Sequence, residues 1–249
     1  MALDARLAFA FAIVAVAGVL KGSIGFGAPL IAVPMLAALV DARAAVVLMS
    51  LPLFAANAVL LLGRPVDRDA VRRFVPLLAA LVPLTVLGGV LLARIDTAAL
   101  AVVVGIITLG FVALSFAGVQ PVVPPRVERP LSVLVGGVAG LLTGATSIPG
   151  PIFALYLSGL RLDKRAFVYG ITILFAVGNV VQVATYLQQG LYAGNLLLAS
   201  AALVPAILLG QQFGFRIQDR LEPVMFRRVV LVVVALAGAN LLARGLGWF

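Results

Sequence analysis

The sequence predicts an all-α polytopic membrane protein made of two inverted repeats. Each repeat holds a broken or re-entrant pair of short helices plus three long transmembrane helices. Three observations carry this prediction. The 249 residues are 63% hydrophobic and 11% charged, with a mean hydropathy of +1.21, whereas a soluble domain carries about a quarter charged residues. The chain also matches itself without gaps at a shift of 122 residues, with 22 identities in the 80 pairs from Val16 to Ile95. Finally, glycines and prolines interrupt an apolar run at the same place in each half.

The matches include scarce residues, which coincidence between greasy helices does not supply. Asp41 and Arg43 meet Asp163 and Arg165, Asn57 meets Asn179, and Ala79 to Pro83 meets Ala201 to Pro205 as the same five letters. Repeat 1 spans residues 1–120, a Pro-rich basic linker follows at 121–130, and repeat 2 spans 131–249. In order, each half begins with a short apolar segment (Leu7–Leu20; Leu131–Leu142) and a Gly/Pro-rich break. A second short segment follows (Ala28–Val40; Gly150–Leu160). Three longer segments complete the first half, near Ala44–Leu62, Val71–Ala93 and Ala98–Phe116. Their counterparts are Ala166–Leu187, Leu191–Phe215 and Val224–Leu242.

Charge chooses between two topologies. If each short pair makes one crossing, the basic residues divide eight against nine between the two sides. If each pair goes in and returns, thirteen fall on one side and Arg6, Arg43, Arg94 and Arg244 on the other. Short cytoplasmic loops concentrate Lys and Arg, so the second arrangement is preferred, with both termini outside the cytoplasm. Length agrees, because Ala28–Val40 rises only about 20 Å as a helix, short of a ~30 Å hydrocarbon core.

Paired, interrupted short segments in two inverted halves are the mark of a secondary transporter. Irregular backbone persists at membrane depth only when buried in protein or lining a cavity. A half-helix starting there points N–H groups and its positive end inward, which suits an anion. The candidate binding residues follow from this. In the first break they are Lys21, Ser23, Gly25, Gly27 and Ala28, with Pro29 in the first turn. In the second they are Thr143, Thr146, Ser147 and Gly150. Lys21 is the one basic residue inside an apolar span; an intramembrane charge points to function, the alternative being snorkelling to an interface. Asn57 and Asn179 occupy equivalent mid-segment positions and either contact substrate or cap the broken backbone. Gln182 shares the face of Asn179. Gln211 and Gln212 have Gly89 and Val90 opposite, so any role there belongs to one half.

Other patterns have plainer readings. Gly136, Gly140 and Gly144, mirrored by Gly18 and Gly22, are expected to serve close helix packing. Asp41 and Asp163 are expected to cap helices. All nine acidic residues lie in loops or at segment ends, so no carboxylate is placed to relay protons at mid-membrane. There is no histidine and no cysteine, which removes the commonest metal ligands and general bases and leaves no catalytic pair. No enzyme, cofactor or metal is expected. The net charge of +9 sits in short loops and is read as orientation signal rather than nucleic-acid affinity. The N-terminus shows no basic n-region and no clear cleavage site, so no cleavable signal is read. The expected partners are a small anion and the lipid bilayer; a coupling ion and the oligomeric state are left open.

The stretch Gly25-Phe26-Gly27-Ala28 … Pro34, together with the length, the two-fold repeat and the Pro-rich linker, resembles the TauE/SafE sulfite exporter family over essentially the whole chain. The family pattern has a second glycine where this chain has Ala28, and Thr146-Ser147-Ile148-Pro149-Gly150-Pro151 departs further. The resemblance implies a bacterial inner-membrane permease for sulfite or an organosulfonate. The competing readings are a passive anion channel and a carrier for another small anion such as a carboxylate.

Overall fold

The computed structural model describes residues 2–25, 27–62, 68–117, 122–218 and 223–248. Phe26 of the family motif, Arg64, Asp67, Pro121, Asp219, Arg220 and Glu222 lie outside the described residues. The chain is all-helical, with no strand among the described residues: α1 (Ala2–Ile24), α2 (Ala28–Ala37), α3 (Ala42–Leu62), α4 (Arg68–Arg94), α5 (Thr97–Ala117), α6 (Pro125–Thr146), α7 (Gly150–Gly159), α8 (Lys164–Gln188), α9 (Leu196–Ala202), α10 (Val204–Ile217) and α11 (Pro223–Gly245). Among the described residues six segments are long and apolar enough to cross a membrane, lying in α1, α3, α4, α5, α8 and across α9–α10. The protein is a multi-pass membrane protein.

Three differences from expectation have physical causes. First, within the two expected short pairs only α2 and α7 are short, at 10 residues each; α1 and α6 run to 23 and 22 residues. The glycines expected to end these helices early are instead helical, because a neighbouring backbone packs directly on them. An added Cβ on Gly22 would overlap the Gln211 carbonyl, and one on Gly144 the Thr85 carbonyl. Second, α6 starts inside the proline-rich stretch, with Pro125 in its first turn, where its missing N–H costs nothing. Third, the segment expected from Leu191 begins at Leu196 and is interrupted at Leu203, just before Pro205, which cannot donate a helical hydrogen bond.

Two compact units partition the chain, and each takes segments from both halves. One comprises Met1–Leu53, Ile95–Gly118 and Tyr192–Phe249; the other comprises Phe54–Arg94 and Val119–Leu191. Within the first, α1 packs along α10 and α5 along α11. Gly18, Gly22, Gly210 and Gly214 let the α1 and α10 backbones touch, and Gly105 does the same between α5 and α11. A smaller core of Leu20, Ile31, Val112, Leu231 and Val234 seals α2 against α5 and α11. Hydroxyls add buried ties, Ser50 Oγ to Tyr192 OH (2.6 Å) and Ser200 Oγ to the Leu48 carbonyl (2.8 Å). Burial holds the Tyr192 phenol above its usual range, although the Ser50 bond pulls the other way; it therefore stays a neutral O–H.

Within the second unit α6 packs along α4, and α8 packs on α4, α6 and α7. Gly136, Gly140 and Gly144 meet the Leu77, Leu81 and Thr85 carbonyls, and Gly88 meets the Leu141 carbonyl. The four-residue glycine spacing is thus a packing seam. Ser132 bonds Tyr156 (2.6 Å), and Arg73 forks onto Glu128 (2.5 and 3.0 Å) at the start of α6. Asp41 and Asp163 cap α3 and α8, accepting from the amides of Ala44 (2.9 Å) and Ala166 (2.8 Å).

Candidate functional site

Two helix breaks, one in each unit, carry the candidate residues. Their backbones begin alike. Gly25 (φ 84°) and Ser147 (φ 63°) both turn left-handed at the end of a long helix. Their amides bond back to the Lys21 and Thr143 carbonyls, at 2.8 and 3.1 Å. Glycine adopts this conformation freely, whereas serine does so under strain. The second turn residue differs, being Gly27 at φ 102° in the first break and Pro149 at φ −81° in the other. Neither α2 nor α7 has a side-chain cap or an acidic residue in its first turn, and each carries proline there. The positive ends of both helices are therefore uncompensated by side chains.

The first break belongs to the unit containing α1 and α2. Lys21 lies in the last turn of α1 and is 2% exposed. Ser23 is half-buried, and its hydroxyl donates to the carbonyls of Val19 (2.9 Å) and Gly214 (3.4 Å). Gly25 is half-buried, while Gly27 and Ala28 are buried. A buried lysine thus precedes two left-handed glycines and an uncapped helix start within eight residues of chain.

The second break is filled by amides. Asn57, Thr143, Thr146, Ser147, Asn179 and Gln182 are all buried. Asn57 Nδ2 donates to Asn179 Oδ1 (2.8 Å), and Asn179 Nδ2 donates to Gln182 Oε1 (3.0 Å). Gln182 Nε2 reaches the Thr143 carbonyl (2.8 Å), Ser147 Oγ (2.6 Å) and Tyr186 OH (2.8 Å). Tyr186 OH in turn donates to the Gly144 carbonyl (2.7 Å). The Thr143 and Thr146 hydroxyls return to carbonyls of their own helix, at Ala139 (2.7 Å) and Leu142 (2.8 Å). Gly150 opens α7.

The structure thus joins Asn57, Thr143, Ser147, Asn179 and Gln182 in one network. The two asparagines pair with each other, while Gln182 donates to the Thr143 carbonyl and Tyr186 to the Gly144 carbonyl at the end of α6. Sequence reasoning missed Tyr186. Its signal was available, since it stands four residues after Gln182 on the same face of α8, a hydroxyl in an apolar span. Gln211 is buried on α10, against the Gly18 and Gly22 seam.

A multi-pass helical protein with two uncapped, proline-started short helices, a buried lysine and no carboxylate in the six candidate spans among the described residues falls in the class of membrane transporters. The family model described as sulfite exporter TauE/SafE matches residues 10–241, and the chain belongs to that family. Its members are membrane transporters and not enzymes. No curated protein and no solved structure matches the chain.

Proposed function

We propose that this protein is an inner-membrane secondary transporter of a small sulfur oxyanion, sulfite or an organosulfonate, working by alternating access around its two helix breaks. The anion is assigned to the first break. Lys21 supplies the one formal positive charge, and the start of α2 at Gly27-Ala28 supplies backbone N–H groups. Charge-assisted bonds to an oxyanion are about twice as strong as neutral ones. The observation that carries the reading is Lys21, buried at the end of α1 immediately before an uncapped half-helix. An ionisable side chain inside a membrane-spanning helix is costly to keep and points to a functional site. The inverted arrangement of the halves, with both termini periplasmic, belongs to this proposal and rests on the 122-residue self-match and the thirteen-to-four division of basic residues.

Proteoliposomes loaded with unlabelled sulfite test it directly. A carrier gives saturable uptake of labelled sulfite that is accelerated by counterflow. Unsaturable anion current instead would identify a channel, and saturable uptake of carboxylates but not sulfite would reassign the substrate.

A further inference from the structure

Three oxygens of different kinds converge on one atom in the second break. The Thr143 carbonyl, Ser147 Oγ and Tyr186 OH all lie 2.6–2.8 Å from Gln182 Nε2. A primary amide nitrogen carries two hydrogens, so three acceptors exceed what it can serve with full bonds. The point it occupies is one where neutral oxygens crowd around a positive partial charge. This point lies at the C-terminal end of α6, where the helix dipole is negative and favours cations.

We propose that this cluster is a binding site for a monovalent alkali cation, the coupling ion of transport, and that the Gln182 amide holds the site when the ion is away. The ligands are the Thr143 carbonyl, Ser147 Oγ and Tyr186 OH, joined by Gln182 Oε1 once the amide rotates. All four are neutral oxygens. Oxygen donors suit hard cations; without a carboxylate they do not offset the charge of a divalent ion, and without nitrogen or sulfur they do not suit zinc or copper.

Rotation of Gln182 has a consequence along the chain of amides. At present every donor points the same way, from Asn57 to Asn179, to Gln182, to Tyr186 and to the Gly144 carbonyl. Turning Oε1 toward an ion turns Nε2 toward Asn179, which must then present Oδ1, and Asn57 must accept where it now donates. Each reversal exchanges an amide's oxygen and nitrogen without moving its other heavy atoms. Ion binding at the end of α6 is thereby reported on α3.

The site is confined to one half. At the 122-residue offset, Thr143, Ser147 and Gln182 correspond to Lys21, Gly25 and Leu60. The first break carries a lysine where the second carries part of the proposed cation-binding oxygen set. A neutral structural latch explains neither the crowding at Nε2 nor a serine held at φ 63° where glycine fits better.

The test uses the full-length protein in detergent, in sulfite-free buffer, so that it is independent of the anion reading. Thermal unfolding is followed as NaCl or KCl replaces choline chloride at constant ionic strength. The unfolding midpoint should rise saturably with one or both alkali cations, as binding to the folded state requires. Ser147→Gly removes a ligand while relieving backbone strain. It should unfold no earlier than wild type in choline chloride yet need about tenfold more alkali cation for half its stabilisation. Gln182→Glu should need about tenfold less, because it adds a charged ligand. Wild-type curves that superimpose in all three salts overturn the proposal. So does a Ser147→Gly variant whose cation response equals that of wild type.

Discussion

At the scale of single residues, the two breaks place unlike chemistry on similar turns. Lys21 and Thr143 stand at the same offset, each with its carbonyl bonded by a left-handed residue four positions on. Beyond that carbonyl the two diverge. The Thr143 carbonyl is covered by Gln182, whereas the first break has leucine at the matching position 60 and brings a lysine of its own. Lys21→Ala should therefore raise the sulfite concentration for half-maximal stabilisation at least tenfold. That is the loss of about 1.5–3 kcal/mol that a charged hydrogen bond contributes. A thermal-shift titration checks it, and unchanged sulfite affinity would make Lys21 a structural lysine. In sulfite-free buffer the variant should still fold, with its unfolding midpoint changed much less than its sulfite affinity.

At the scale of elements, the glycines divide into those that serve contact and those that do not. Gly144 lies against the Thr85 carbonyl and the amide of Gly89, so a methyl there has nowhere to go; Gly110 on α5 has nothing within 4 Å of an added Cβ. Gly144→Ala should destabilise the fold by about 1–3 kcal/mol, the usual cost of overpacking. Gly110→Ala should stabilise α5 by about 0.5–1 kcal/mol through the lost entropy of the unfolded chain. Denaturation of both variants in detergent micelles separates the two cases; equal effects would remove the distinction between seam and surface glycines. Between helices in lipid there is little hydrophobic drive to associate, so close backbone packing of this kind supplies much of the cohesion.

At the scale of the whole molecule, neither half of the chain makes a compact unit alone. The first helix of the first half packs on α10 of the second, and α6 of the second half packs on α4 of the first. Orientation is tested by accessibility tags. Tags at residues 68 and 126 should report cytoplasm, and tags at both termini should report the outside. Residues 43 and 165 should report opposite sides, because the thirteen-to-four division of basic residues places them so. Finding residues 43 and 165 on one side would replace inverted halves with parallel ones.

Much of this was legible in the letters. Membrane character, all-helical structure and the starts of α2 and α7 follow from hydropathy, proline and glycine, which act locally. The capping roles of Asp41 and Asp163 and the packing role of the four-spaced glycines were also readable, because capping and small-residue stripes have fixed short spacings. What the letters could not decide was where α1 and α6 end. Gly22 and Gly144 look like breaks until the backbones of α10 and α4 are seen pressed on them, since a glycine in a row does not say whether it bends or is packed. Nor could they decide between two roles for Asn57 and Asn179. Residues 122 apart in sequence became a hydrogen-bonded pair only once the fold brought Asn57 against Asn179, and Tyr186 joined them because a hydroxyl's partner is fixed in space and not along the chain.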